Sequence, residues 1–162
     1  HHPPHLLPSG QRIADFSVPR AMTPALTWSP SPWPVTLYHQ GAIVQAGLVD
    51  TLVGRLRSQL EQAGLYDRSL IVVTADHGIS FVPGSPVRYS GDSSAAGTML
   101  VPLILKLPAS RRTRPPGTVD DGNVETIDIL PTIADVLGVA LRAPVDGRSA
   151  FADGPGRPSW LS

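Results

Sequence analysis

Cysteine is absent from the 162 residues. Disulfide scaffolds, zinc ribbons and thiol catalysis are thereby excluded, while the compartment stays open because an exported protein needs no disulfide. Lysine is nearly absent too: Lys106 is the single one, and the other basic side chains are arginine. Basic and acidic residues balance at 13 each. Such a chain has no electrostatic footprint for nucleic acid or an anionic membrane, and no nucleic-acid partner is expected. No apolar run approaches the roughly 20 residues that span a bilayer. No signal-peptide pattern is visible, and the chain opens at His1-His2-Pro3-Pro4 without methionine. That start reads as a cut through a longer protein, with any anchor or export signal expected upstream.

What is present suits one α/β domain. An apolar fraction of 41% against 16% charged residues argues for a packed core rather than disorder. Residues 1–33 are rich in Pro, Ser and Trp and are expected to form an irregular segment pinned to the domain by Trp28 and Trp33. From about Pro34 to Gly64 the spacing of Ile43, Val49, Val53, Leu56 and Leu60, widened by Leu48 and Leu52, predicts an amphipathic helix with that stripe turned inward. Ser69–Ala75 is an apolar, β-branched run without alternation, as in a strand buried on both faces of a parallel sheet. A Gly-, Ser- and Pro-rich loop follows. Met99–Lys106 is a second strand, with Pro102 suited to its beginning. A second helix is expected over Val124–Leu137, regular only from about Asp128 because Pro131 fits a first turn, with Gly138 as its stop. Helix, strand, loop, strand and helix in this order imply a layered α/β domain. The expected division is an irregular segment at 1–33, the layered part at 34–150 and a tail at 151–162.

The chemistry is concentrated at Asp76-His77-Gly78, directly after the buried run. In open parallel sheets ligands sit beyond the carboxyl ends of the strands. A carboxylate next to an imidazole offers one oxygen and one nitrogen ligand for a divalent cation, and Gly78 is expected to let the backbone bend away sharply. The bland alternative, an Asp capping the next turn beside a surface His, is equally compatible with this spacing alone.

The segment Leu65-Tyr66-Asp67-Arg68-Ser69-Leu70-Ile71-Val72-Val73-Thr74-Ala75-Asp76-His77-Gly78 resembles the sulfatase stretch "G-x-x-D-x-T-hydrophobic run-S/T-D-H/N-G". Four further segments resemble the same family in the same order. They are Tyr38 with Asp50-Thr51-Leu52-Val53-Gly54; Val101-Pro102-Leu103-Ile104; Thr126-Ile127-Asp128-Ile129-Leu130-Pro131-Thr132-Ile133 with Leu137-Gly138; and Asp146-Gly147-Arg148-Ser149. His1-His2-Pro3 is similar to the family's "H-x-P" element, and Leu7-Pro8-Ser9-Gly10 to the "L-P-S-G" of membrane-bound actinobacterial members.

The resemblance implies the carboxy-terminal part of an alkaline-phosphatase/sulfatase-like layered fold with a mainly parallel central sheet. It implies Asp76 and His77 as metal ligands, His1 as a substrate-facing donor and Arg88 as a basic residue facing the anion. Asp50 and Asp128 are read as structural, a helix surface contact and a helix cap, and Lys106 as a solvated strand-end lysine. The implied cofactor is a divalent metal, Ca²⁺, Mg²⁺ or Mn²⁺, with Zn²⁺ also compatible with an imidazole ligand. The implied substrate is a sulfate or phosphate ester, and the implied location of the full-length protein is the cell envelope.

Equally informative is the missing nucleophile. The family uses a Cys matured to formylglycine or a Ser in "C/S-x-P-S/A-R", or a Thr or Ser in the phospho-transfer branches. No such element is present, so the isolated chain is expected to be inactive and its half-site to bind a divalent ion weakly. Two other readings stand beside a sulfate-ester hydrolase: a phosphoglycerol- or phosphoethanolamine-type transferase or phosphohydrolase of the same superfamily, and a non-catalytic truncated remnant.

Overall fold

A computed structural model describes residues 6–12, 22–23, 26–88 and 95–152. They fall into two compact bodies, one built from 1–64 and 77–102, the other from 65–76 and 103–162. His1 lies outside the described residues.

The first body is organised by helix α1 (Pro32–Gln62). Pro32 stands in its first turn, where a missing N–H costs no intrahelical bond, so the helix begins two residues before the expected Pro34. Gly64 ends it in the left-handed conformation (φ +66°), its N–H donating to Glu61 O at 3.0 Å. The core sits at the helix's opening turns: Trp28, Val35 and Val87 are buried, with Met22, Tyr38, Ile79 and Phe81 packed against them. Trp28 meets Tyr38 edge-on at a centroid distance of 5.0 Å and stacks on Phe81 at 5.7 Å. An indole in such a place contributes roughly 3–5 kcal/mol, judged by the usual cost of its truncation.

Two expectations are corrected here. Trp33 does not pin the Pro-rich segment; it is 63% exposed, because successive helical side chains are about 100° apart and Pro34 and Val35 take the inward positions. The apolar stripe along α1 is not turned inward along its length either: Ile43, Val49, Leu52 and Leu56 are about half exposed. The described core of this body is confined to the Trp28 cluster, so only Pro34, Val35 and Gly41 of α1 are buried.

The second body holds β1 (Ile71–Thr74) and β2 (Leu103–Lys106). The α/β class holds, but these two strands pair antiparallel, with Ile71 opposite Lys106 and Thr74 opposite Leu103. Among the described residues β1 has no parallel neighbour; Ile71, Val72 and Val73 are half-buried and Thr74 is exposed. The β-branched run was a sound signal for a strand. Pro102 precedes β2, where it removes no ladder donor. Lys106 is not simply solvated. Its ammonium donates to Tyr66 O and, at 3.0 Å, to Ser69 O, and lies 4.1 Å from the Tyr66 ring centroid. Burial presses its pKa below the ordinary lysine value, with Asp67 opposing and Arg112 adding to the shift.

A 3₁₀ turn at Thr126–Asp128 leads into α2 (Ile129–Leu137), ended by left-handed Gly138. Asp128 is 2% exposed and caps this turn as expected: its carboxylate accepts from Glu125 N at 3.0 Å and from Arg148 N at 2.8 Å. Thr132 Oγ1 donates to Asp128 O and accepts from Ala150 N, so the segment after Asp146 is tied back to the start of α2. No helix of the described residues is long and apolar enough to cross a membrane.

Candidate functional site

The chain leaves β1 at Thr74 and reaches Asp76, which is exposed at a bend, then His77, which is half-buried. Asp76 closes its segment of the second body and His77 opens the return into the first. Each side chain therefore belongs to the surroundings of its own body.

His77 is held by its neighbour. Nδ1 lies 2.7 Å from Gly78 O, and a carbonyl only accepts, so this nitrogen carries the proton. The hydrogen-bond network thus assigns the tautomer, and neutral His77 keeps its lone pair on Nε2. Gly78 is itself fixed, its N–H donating to Thr98 O at 2.7 Å. Gly78 does not occupy the left-handed region. The expected sharp bend is replaced by a close crossing: a Cβ here would stand 2.1 Å from Gly97 O, and a Cβ on Gly97 would stand 3.0 Å from Ser80 Cα. Two backbones that close leave room for glycine alone.

Beyond Gly78 the loop closes on itself and on the segment before α1. Ser80 N donates to Val87 O at 3.1 Å, Val87 N to Leu26 O at 2.9 Å and Trp28 N to Ser85 O at 3.0 Å. Trp28 Nε1 donates to Ser80 O. These bonds give buried polar backbone groups their partners and fix the chain at buried Val87, which half-buried Arg88 follows. Burial pushes the Tyr38 phenol above the ordinary tyrosine value, and the Arg88 cation draws it partly back.

Sequence reasoning named Asp76, His77 and Arg88. It noted Tyr38 only as a motif position and missed Gly97 and Thr98, whose one signal was a glycine in the small-residue run Ala95-Ala96-Gly97. As a donor set, a carboxylate oxygen and an imidazole Nε2 are types that a divalent cation accepts. Each residue thus carries a donor type that a divalent cation accepts. Among the described residues, no group of three or more His, Asp or Glu side chains is gathered so as to hold an ion.

Residues 45–139, more than half of the chain, match the family model described as Sulfatase. The multifunctional alkaline phosphatase superfamily protein PehA of Trinickia caryophylli is 32% identical over 101 residues, covering 62% of this chain and 19% of that protein. The N-acetylglucosamine-6-O-sulfatase of Bacteroides thetaiotaomicron is 27% identical over 139 residues, covering 86% of this chain and 23% of that protein. A solved phosphonate monoester hydrolase from Silicibacter pomeroyi superposes with a TM-score of 0.62 at 34% identity, over 72% of this chain and 22% of that one. The chain spans about a fifth of the length of these relatives.

Proposed function

Because the chain belongs to the Sulfatase family, we propose that it carries the later part of the active site of a metal-dependent hydrolase of sulfate esters. In this reading Asp76 and His77 are metal ligands and Arg88 is a donor to the ester anion. His1, at the "H-x-P" position, donates to the sulfate or to the leaving oxygen. The observation that carries the reading is the Nδ1–H of His77 held on the Gly78 carbonyl. An outer-shell bond of this kind orients an imidazole for metal binding through its other nitrogen.

A bound divalent cation supplies Lewis-acid polarisation of an ester oxygen. The chain's own residues do the rest of what this part contributes. Asp76 offers a hard oxygen donor, and the Nδ1 bond to Gly78 O, on a backbone itself tied to Thr98 O, restrains the His77 ring. Arg88 presents N–H donors whose charge offsets the negative charge that grows on the equatorial oxygens during displacement. The nucleophile is not among these residues, since the chain has no cysteine and no "S-x-P-S/A-R" element. The chain alone is therefore expected to be inactive, and the cell envelope is the proposed site of the full-length protein.

A second reading, hydrolysis or transfer at phosphorus, is favoured by the likeness to the phosphonate monoester hydrolase. Asp-His serves either chemistry.

Calorimetric titration of Mn²⁺, Zn²⁺ and Ca²⁺ tests the metal assignment, on the parent and on an Asp76→Ala, His77→Ala double variant. Binding by the parent and none by the variant is expected. Equal binding by both would assign the ion to His1, His2 and His5 and remove the pair from the site.

A further inference from the structure

We propose that Gly97 is a positioning residue for His77: as a glycine it lets the helical turn Ala95–Met99 lie directly on the 78–80 backbone, which carries the carbonyl that fixes the imidazole. This rests on the reading of His77 as a metal ligand given above.

The contact is one of main chain with main chain. Gly78 N–H donates to Thr98 O at 2.7 Å, and Gly78 O accepts the Nδ1 proton of His77 at 2.7 Å. Gly97 is not in the left-handed region, so backbone conformation alone does not call for glycine there. Space does. A Cβ on Gly97 would stand 3.0 Å from Ser80 Cα and 3.2 Å from Ile79 O, and a close approach of two backbones is one of the uses of glycine. Ser80 has little room to retreat: it is 2% exposed, its N–H donates to Val87 O, and its carbonyl accepts from the Trp28 indole. A side chain at position 97 therefore displaces the turn that carries Thr98 O, or strains the 78–80 backbone on which His77 rests.

Thr98 supplies an independent observation. It is 8% exposed, and its hydroxyl has no hydrogen-bond partner among the described residues. A buried hydroxyl left in this state costs free energy. Such a cost persists where the surroundings over-determine the backbone, and the Thr98 carbonyl, not its side chain, is the group engaged here. Gly97 touches neither metal nor ester in this scheme and acts through His77.

The test follows the ¹⁵N signals of His77 in the 162-residue chain and in its Gly97→Ala and Thr98→Val variants, without and with Zn²⁺. Gly97→Ala is expected to shift the Nδ1–H signal and to weaken Zn²⁺ binding, read at Nε2, about tenfold, the low end of what losing an outer-shell contact costs. Thr98→Val removes the unpartnered hydroxyl and keeps the carbonyl, so both signals should stay in place while the urea midpoint holds or rises. Unmoved His77 signals and Zn²⁺ affinity in Gly97→Ala overturn the positioning role, whatever the urea midpoint does. So do His77 signals that move as far in Thr98→Val as in Gly97→Ala. Should Gly97→Ala fail to fold, the parent decides: a scalar coupling across the Gly78 N–H···O=C Thr98 bond is expected, and its absence removes the link from the turn to His77. A shifted Nδ1–H signal in Gly97→Ala, with Nε2 of the parent unmoved by Zn²⁺, upholds the positioning and sinks the metal role of His77 instead.

Discussion

Asp128 and Arg148 are joined by a hydrogen bond from the Arg148 backbone N–H to Asp128 Oδ1 at 2.8 Å. The second carboxylate oxygen accepts from Glu125 N, and the whole side chain is 2% exposed. A buried carboxylate in this role needs both donors, and the donors need it. Asp128→Ala leaves two N–H groups without a partner and is expected to cost about 2–4 kcal/mol. Asp128→Asn turns one acceptor into a donor facing a donor and should cost nearly as much. Urea unfolding followed by circular dichroism measures both, and a midpoint unchanged by either variant would show that the clamp is not structural.

Gly78→Ala is a prediction about space. The added methyl would overlap Gly97 O, so one backbone must shift and the Gly78–Thr98 bond must lengthen. A loss of about 1–3 kcal/mol is expected, the usual cost of overpacking. Amide exchange at Gly78 should rise with it. Gly64→Ala disturbs a left-handed position but has open space around it, and serves as the comparison that separates crowding from backbone strain.

The His77 tautomer has a direct spectroscopic signature. For the neutral form of the imidazole the ¹⁵N spectrum should show the proton on Nδ1, with Nε2 at the shift of an unprotonated nitrogen. Added Zn²⁺ should move the Nε2 signal and leave Nδ1–H in place. Protonation found on Nε2 instead would withdraw the ring orientation on which the metal reading depends.

Asp120 makes a prediction about pH. The Gly122 backbone N–H, and then the Arg114 guanidinium, hold its carboxyl below the ordinary Asp value. A group whose folded pKa is depressed adds stability above its unfolded pKa, and that stability is lost as pH falls through the folded value. The loop around Asp120 should therefore loosen only in acid, below the ordinary carboxyl range. In Arg114→Gln the carboxyl midpoint should rise, as read by side-chain carbon NMR. The effect stays local, because both partners are exposed and surface ion pairs contribute little.

Local signals in the sequence were sufficient for most elements, but not for the helical turn Ala95–Met99, which stands where a loop and the start of a strand at Met99 were expected. Pro32 and Gly64 bracket α1, Pro102 stands before β2, and Gly138 stops α2, because each of these residues restricts or frees the backbone where it stands. The order of the motifs was enough to expect the family, and the adjacency of Asp76 and His77 was enough to nominate the pair. Other features depended on what lies opposite in space. The direction of β1 against β2, the exposure of Trp33 and of the Ile43–Leu56 stripe, and the engagement of Lys106 with Tyr66 could not be read along the chain. Neither could the Gly78–Gly97 crossing. Hydrophobic pattern and turn chemistry act over a few residues, so the sequence by itself determined the long helix, the two strand cores and the helix after Asp128. Partners are chosen by packing between segments tens of residues apart, and only the tertiary structure decided them.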